Sequence, residues 1–214
     1  MCWCLYDFVY YGTAFNQPDI INAVFGKDED ILMNCEHNIL LASMGLPGVI
    51  IAILNLEKLG TKKLMAWGFA VIAIASAMLT ASFAYAPDNN VLNFVLTCFM
   101  IFAINWGCNV ATYVLPTECF PTEVRSSLYG LSAACGKVGA FLGGYFFKMV
   151  ADSYGYSAIY AICGVLSIGG VGVAAGYIEP YWEATLCGQV KEGEAYVRRS
   201  NGAAKKKEEL LPAA

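Results

Sequence analysis

Long apolar segments constrain the fold of this chain more than any other feature. Six mostly apolar stretches, separated by short polar connections, cover residues 2–24, 39–56, 64–86, 91–115, 128–150 and 156–178. About 20 apolar residues cross the hydrocarbon core of a bilayer as one helix. A helix satisfies its own backbone hydrogen bonds where no water is present. We therefore predict an all-α polytopic membrane protein with six transmembrane helices, in contact with the lipid bilayer.

The composition argues against several other classes of protein. Hydrophobic residues make up 58% of the 214 residues and charged residues 14%, whereas a soluble domain is nearer one half apolar and one quarter charged. A net charge of -4 gives no reason to expect a nucleic-acid partner. The nine cysteines lie mostly in apolar runs, show no C-x-x-C spacing and accompany a single histidine. We therefore predict no metal site, and we expect no cofactor, no catalytic residues and no enzymatic activity.

The positive charges of the connections predict an orientation. Of the 13 Lys and Arg residues, ten fall on one side of the predicted bundle, in the 57–63 loop, around Arg125 and in the tail. The positive-inside rule assigns that side to the cytoplasm. Six crossings then leave both termini in the cytoplasm. The predicted bundle occupies residues 1–181, and we expect the polar residues 182–214 to form a disordered cytoplasmic tail.

Two charged residues, Asp7 and Lys137, lie well inside the predicted spans. A charge at the bilayer centre costs at least about 2.5–3.5 kcal/mol, so such residues usually face a partner or an aqueous cavity. Trp3 and Tyr11 lie four residues before and after Asp7, on the same face of a helix. Asp7 and Lys137 form either a structural ion pair or part of a ligand site. The weak net benefit of buried ion pairs favours the site.

A second polar stripe follows the fourth span. Asn105, Asn109 and Tyr113 are spaced by four residues, and Gly107 interrupts the helix beside them. These amides either form hydrogen bonds between helices or contact a ligand. An acid, a cation, amides and hydroxyls together suit a small oxyanion that moves with a proton, because the cation attracts it and the neutral groups donate hydrogen bonds.

Glycines predict where the helices pack closely or bend. Gly139 and Gly143 in the fifth span, and Gly172 and Gly176 in the sixth, form G-x-x-x-G pairs, which allow close helix contact. The Gly-Leu-Pro-Gly segment at 45–48 predicts a kink in the second span.

Two loops, YVLPTECFPTEVRSS (113–127) and EKLGTKK (57–63), carry motifs that resemble those of the major facilitator superfamily. YVLPTECFPTEVRSS (113–127) is similar to its P-E-x-F-P-T-x-x-R motif. EKLGTKK (57–63) is similar to its D-x-x-G-R-R loop, with lysines in place of the arginines and Glu57 or Lys58 near the acidic position. Both stand where the C-terminal half of a twelve-helix transporter has them. The resemblance implies a cytoplasmic gate motif formed by Glu57, Lys62, Lys63, Glu118 and Arg125.

Within that superfamily, residues 1–178 resemble the phosphate:proton symporters. Their seventh helix carries W-x-x-x-D-x-x-x-Y and then N-Q, matched by Trp3, Asp7, Tyr11 and Asn16-Gln17. Their tenth-helix pattern G-P-N-x-x-T-Y-x-x-P-x-E-x-F-P-T is matched over 107–122, with cysteine in place of proline. Their eleventh-helix pattern G-x-S-A-A-x-G-K-x-G-A is matched over 130–140. The resemblance implies phosphate ligands at Trp3, Asp7, Tyr11, Asn109 and Lys137, with Asp7 also carrying the coupled proton.

The same resemblance implies a plasma-membrane transporter that moves inorganic phosphate with protons by alternating access. Such transporters hold the site between two six-helix halves. The chain corresponds to the C-terminal half, and we expect the N-terminal half to be missing, so the chain alone is predicted not to transport. The sequence at 178–188 departs from the family's P-E-T-K-G-like ending. Two alternatives stay open, a facilitator of another solute such as a sugar or organic ion, and a truncated, non-transporting membrane remnant.

Overall fold

The computed structural model describes residues 1–25, 31–120 and 122–176, and every regular element among them is a helix. The helices are α1 (Cys2–Phe15), α2 (Gln17–Phe25), α3 (Ile31–Ser43), α4 (Gly45–Leu59), α5 (Thr61–Tyr85), α6 (Asn90–Asn105), α7 (Cys108–Cys119) and α8 (Arg125–Gly176). The all-α prediction is confirmed. The predicted tail over 182–214 and the end of the sixth span, at 177–178, lie outside the described residues.

Four helical stretches in the described part of the chain are long and apolar enough to cross a membrane. They are Ile31–Leu59, Thr61–Tyr85, Asn90–Cys119 and Arg125–Gly176, and they confirm a membrane protein. Gly155, with a φ of 83°, breaks α8 internally into an N-terminal arm (125–154) and a C-terminal arm (156–176), each long enough for one crossing. The division of the chain into six spans with the predicted boundaries stays a prediction.

Helix breaks occur beside glycine and proline. Asn16 separates α1 from α2, shortly before Pro18, which has no N–H to continue the helical ladder. Met44 separates α3 from α4, just before the Gly-Leu-Pro-Gly segment, so an interruption of the helix falls where the kink is predicted. Gly107 separates α6 from α7 with a φ of 84°, a conformation that favours glycine, and this confirms the predicted interruption.

A row of glycines packs the N-terminal arm of α8 against α1. A Cβ added at Gly139 would collide with the carbonyl oxygen of Cys4, and one at Gly143 with that of Phe8. The contacts advance in the same direction along both helices, so the two helices run parallel. The predicted close contact at Gly139 and Gly143 is confirmed.

The C-terminal arm of α8 packs antiparallel against α5. A Cβ added at Gly170 would lie 2.5 Å from Cδ1 of Phe69, and one at Gly164 would lie 3.5 Å from Cβ of Ser76. At the other predicted pair, Gly172 and Gly176, no described atom lies within 4 Å of the added Cβ. Close contact within this arm is therefore made at Gly170, and it is absent from the predicted pair over the described residues.

The loops that carry the two superfamily-like motifs lie at one end of the helices. A cavity of about 250 Å³ there is lined by Met1, by Met65 near the start of α5, by Cys119 and Phe120 at the end of α7, and by Val173 of α8. This end, which holds the 57–63 loop and the connection from α7 to α8, is called the motif end below.

Candidate functional site

The helix α1 brings Trp3 and Asp7 to one point on α8. The two side chains are only 8% and 4% exposed. A Cβ added at Gly136 would lie 2.8 Å from Nε1 of Trp3 and 2.9 Å from Oδ2 of Asp7. Both polar groups thus border the same position, where glycine leaves room for them. The structure therefore groups these two residues as the spacing on α1 predicts.

One oxygen of the Asp7 carboxyl group has no partner. Oδ2 is buried and accepts no well-aligned hydrogen bond from the residues that the structure describes, although the Trp3 indole N–H lies close enough to the carboxyl group to interact with it. A buried polar atom without a partner is costly, so this oxygen suits either a bound proton or a donor brought by a ligand. Within the described ranges, no nitrogen of Lys137 lies within the 4.0 Å of an ion pair with Asp7, whereas Lys148 and Asp19 form one at 3.2 Å. The two charges therefore form no ion pair in direct contact, although they interact electrostatically at longer range.

Lys137 instead contacts Tyr11. Its Nζ donates a 2.9 Å hydrogen bond to the Tyr11 hydroxyl oxygen and lies 4.7 Å from the centroid of the same ring. Because Tyr11 accepts this bond, its own O–H remains free to donate. The Lys137 side chain is exposed, so the cation lies at the surface of the described helices. Tyr11 thus joins α1 to α8 and places a cation beside the Asp7 face.

Asn109 bridges the break between α6 and α7. Its Nδ2 donates a 2.9 Å hydrogen bond to Oδ1 of Asn105, and Nδ2 of Asn105 donates a 2.8 Å bond to the Ile101 carbonyl oxygen. The amide stripe therefore forms a chain of hydrogen bonds along one stretch of the backbone, from Asn109 across Gly107 to Ile101. Asn109 is half-buried, and among the described residues it makes no hydrogen bond to α1. Among the described residues, the Asn109 side chain therefore makes no direct hydrogen bond to the other predicted ligands, and only its position on α7 brings it near them.

Tyr113 brings α7 into contact with the predicted ligands. Its ring meets the Trp3 ring edge-on, with centroids 5.2 Å apart. Its hydroxyl lies within electrostatic range of Tyr11, Asp7 and Lys137. Tyr129 of α8 makes a second edge contact with Trp3, at 5.7 Å. Neither tyrosine is among the predicted ligands, although Tyr113 follows Asn109 by one helical turn and Tyr129 precedes Lys137 by about two turns.

Tyr6 anchors α1 to the end of α6. Its hydroxyl donates a 3.0 Å hydrogen bond to the Ile104 carbonyl oxygen, and the contact is buried. The Cys108 N–H, which would bond this carbonyl in a continuous helix, bonds the Trp106 carbonyl instead. Tyr6 therefore satisfies a carbonyl that the break at Gly107 releases, and it sets the position of the break relative to Asp7.

The residues of the predicted gate motif all lie at the motif end without pairing to one another. Glu57, Lys63 and Glu118 are exposed, whereas Lys62 and Arg125 are half-buried. Nε of Arg125 donates a 3.1 Å hydrogen bond to the Phe120 carbonyl oxygen, which ties the start of α8 to the end of α7. Across the described ranges no ion pair within 4.0 Å joins any two of the five.

The described residues contain no cluster suited to a metal ion. No group of three or more His, Cys, Asp or Glu side chains is arranged to hold one. The eight cysteines within the described ranges are all free thiols. The predicted ligands themselves carry carboxyl, ammonium, indole, phenol and amide groups.

Comparison with known proteins places this arrangement in a family. Residues 1–175 match the family described as "Sugar (and other) transporter". The chain is 35% identical over 180 residues to "Inorganic phosphate transporter PT2" of Toxoplasma gondii, covering 84% of the chain and 32% of that protein. It is 28% identical over 179 residues to "Probable inorganic phosphate transporter 1-6" of Arabidopsis thaliana, covering 78% and 35%. It is 32% identical over 154 residues to "Repressible high-affinity phosphate permease" of Neurospora crassa, covering 67% and 26%.

The family match extends from α1 almost to the end of α8 and so includes every helix that carries a predicted ligand. The chain spans about a third of the length of the curated relatives it matches. The match agrees with the superfamily resemblance of the two loops at the motif end. The chain belongs to the sugar (and other) transporter family of the major facilitator superfamily.

Proposed function

We propose that this chain forms one wall of a pathway that carries inorganic phosphate together with protons across a membrane. The observation that carries the proposal is the grouping of Trp3, Asp7, Tyr11 and Lys137 between α1 and α8. It occurs in a chain whose relatives are named for inorganic phosphate.

The donors of this cluster suit an oxyanion. The Lys137 ammonium group uses one N–H on Tyr11 and has two more to offer. The free O–H of Tyr11 and the indole N–H of Trp3 add neutral donors, and hydrogen bonds from a charged donor to an anion are among the strongest in proteins. Asn109 supplies an amide from α7. These groups together provide charge and directional contacts for phosphate oxygens.

Asp7 supplies the coupling to protons. When its carboxyl group holds a proton, it donates a hydrogen bond to a phosphate oxygen. When the group is ionised, its charge repels the anion. Proton and phosphate therefore bind together and leave together. The buried Oδ2 without a partner supports this role, because either the proton or the ligand removes an unpaired buried acceptor.

The other wall of the pathway comes from an N-terminal six-helix half. Transporters of this superfamily bind substrate at the interface of two repeats and alternate access by rocking them around the site. The exposure of Lys137, together with 52% exposure of Tyr113, supports a cluster that faces a partner half. The chain alone then binds phosphate weakly and does not transport it.

The motif end faces the cytoplasm in this proposal, and both termini lie on that side of a plasma membrane. The excess of Lys and Arg on that side supports the orientation. The exposed charges at Glu57, Lys63 and Glu118, which have no partner in the described ranges, are then available to form gating ion pairs with the other half. Lys62 and Arg125 complete that gate.

The test is a chimaera in which this chain replaces the matched segment of the Toxoplasma gondii relative. Uptake of radiolabelled phosphate is measured in vesicles with and without an inward proton gradient. The gradient should raise uptake by the chimaera, and Asp7→Asn should abolish that increase while expression is unchanged. Asp152→Asn is the control, because Asp152 is exposed on α8 and outside the cluster. Wild-type-like, gradient-driven uptake by the Asp7→Asn chimaera would remove Asp7 from the mechanism.

Two further arms separate the alternatives. The 214-residue chain alone should give no uptake in the same vesicles, and gradient-driven uptake by it would contradict the need for a second half. Because the matched family includes sugar transporters, labelled hexose is offered in parallel. Hexose uptake without phosphate uptake would show that the substrate is a hexose and not phosphate. Uptake of neither solute by a folded chimaera would favour a non-transporting membrane protein.

A further inference from the structure

The cavity at the motif end adjoins the cluster of proposed phosphate ligands, and among the described residues of that cluster Trp3 alone lines the cavity. Met1, Cys2 and Trp3 line the cavity on α1, residues 112–119 of α7 contribute several side chains, and Ser132 lines it on α8. Along each helix these residues lie nearer the motif end than Asp7, Asn109 and Lys137 do. The lining is mostly apolar, so the cavity provides space next to the cluster but few ligands.

Trp3 is common to the cavity and the cluster. Its ring forms part of the cavity wall, and its Nε1 lies beside Asp7 Oδ2 at Gly136. Tyr113 and Tyr129 meet the same ring edge-on at 5.2 Å and 5.7 Å. Three helices thus each supply one aromatic ring to a single layer. Trp3 is 8% exposed, and the two tyrosine rings, together with the α8 backbone at Gly136, leave little open space around it.

We propose that Trp3, Tyr113 and Tyr129 form an aromatic partition that closes the phosphate site toward the cavity at the motif end. This inference rests on the proposed function, in which an anion must leave the cluster on one side at a time. Apolar constrictions block hydrated ions because water is disfavoured between their walls. Edge-to-face contacts hold such rings together in a defined geometry.

Tyr113 is the member of the partition that is placed to move. It is 52% exposed, in contrast to Trp3, and α7 begins directly after Gly107, where the backbone has a φ of 84°. Rotation of α7 at this break would withdraw the Tyr113 ring from Trp3 while α1 and α8 stay packed at Gly139 and Gly143. The partition then opens without separating the two helices that hold Asp7 and Lys137.

The first test measures the partition without using phosphate. In the full 214-residue chain, Trp67, Trp106 and Trp182 are replaced by Phe, so that Trp3 is the remaining fluorophore. Quenching of its emission by aqueous acrylamide should be weak, and Tyr113→Ala should raise it several-fold. Tyr113→Phe, which keeps the ring edge, should quench as weakly as the parent. Tyr145→Ala is the matched control, because Tyr145 is 62% exposed and stacks on Phe141 away from Trp3.

Two more variants test whether the aromatic edges, and not side-chain bulk alone, shield Trp3. Tyr113→Leu keeps side-chain bulk but not the aromatic edge, and Tyr129→Ala removes the second edge. Both should raise quenching while the helical circular dichroism and the thermal unfolding temperature match those of the parent. Quenching that stays at the parent value in Tyr113→Ala, Tyr113→Leu and Tyr129→Ala would overturn the partition.

The second test measures its consequence for flux in the chimaera described above. Downhill phosphate leak without a proton gradient should rise several-fold in Tyr113→Ala, and gradient-driven accumulation should fall. Unchanged leak would overturn the role of the partition as a barrier, whatever the quenching shows. If the parent chimaera carries no phosphate, the proposed function fails, whereas the existence of the partition is still decided by the quenching of Trp3.

Discussion

The Tyr6 hydroxyl lies 3.0 Å from the Ile104 carbonyl oxygen and joins α1 to the last turn of α6. Tyr6 directly precedes Asp7, and Ile104 lies three residues before Gly107. The hydrogen bond therefore links the helix that carries the buried carboxyl group to the break that leads into α7. Tyr6 is not one of the predicted ligands, but its hydrogen bond fixes the distance between α1 and the break that leads into α7.

Tyr6→Phe should destabilise the chain without changing its shape. The variant removes one hydroxyl and leaves the buried Ile104 carbonyl unpaired, at a cost of about 0.5–2 kcal/mol within a membrane protein. The measurement is the thermal unfolding temperature of the purified chain in detergent. Tyr85→Phe is the control, because Tyr85 is 90% exposed at the end of α5. Equal unfolding temperatures for the two variants would show that the bond contributes nothing.

Gly139→Ala should disrupt the packing of α1 on α8. The new Cβ would collide with the Cys4 carbonyl oxygen, and forced overpacking costs typically about 1–3 kcal/mol. Gly172→Ala is the control on the same helix, since its new Cβ meets no described atom within 4 Å. The thermal unfolding temperature should fall for Gly139→Ala and stay level or rise for Gly172→Ala, because alanine favours helix. A similar response of both variants would contradict the parallel α1–α8 contact.

Gly107→Ala should cost more than Gly60→Ala. Both glycines have positive φ, 84° and 74°, with ψ of -80° and 154°, so both variants carry backbone strain on the order of 1–3 kcal/mol. At Gly107 the added Cβ would also lie 2.8 Å from Cα of Gly68 and 2.9 Å from the Leu64 carbonyl oxygen, whereas nothing lies within 4 Å at Gly60. Chemical denaturation of the two variants separates close contact from backbone strain. Equal losses of unfolding free energy in the two variants would show that residue 107 makes no close contact with α5.

Local spacing is what the sequence predicts well in this chain. Trp3 and Asp7 share a face because helical geometry alone determines it, and Gly107 interrupts a helix because of its backbone freedom. A four-residue spacing does not decide, however, whether a polar side chain bonds a neighbour on its own stretch of chain or a group on another helix. Asn105 and Asn109, four residues apart, bond each other along the chain, a geometry as compatible with the sequence as contact with another helix. The predicted ligand roles of these residues stay predictions.

Contacts between distant parts of the chain could not be predicted from spacing. The G-x-x-x-G pattern occurs at Gly139 and at Gly172, yet only the first meets a neighbouring backbone in the described part of the structure, because a motif permits contact without supplying a partner. The bond from Tyr6 to Ile104 depends on where the α6 break falls against α1. Hydropathy also places the second span at residue 39, whereas α3 already begins at Ile31, since helical hydrogen bonds continue past the apolar stretch.

Lys137→Ala should weaken phosphate binding by the chimaera more than it slows transport. Among the described residues, the Lys137 ammonium group is the cation that lies beside the Asp7 face, through its 2.9 Å hydrogen bond to the Tyr11 hydroxyl. Loss of a charge-assisted hydrogen bond costs about 1.5–3 kcal/mol, or roughly 10- to 100-fold in affinity. The apparent KM for phosphate should rise by that factor in uptake assays, with a smaller change in maximal rate.

Lys148→Ala is the matched control for this prediction. Lys148 lies on the same helix and pairs with Asp19 at 3.2 Å, but that ion pair is exposed and lies three turns beyond Lys137, away from the motif end. Exposed pairs contribute little, so the apparent KM should stay near the parent value. Tyr11→Phe should raise KM less than Lys137→Ala, because it removes a neutral donor and leaves the cation in place. An unchanged KM in Lys137→Ala would show that Lys137 does not bind phosphate and only connects α8 to α1 through Tyr11.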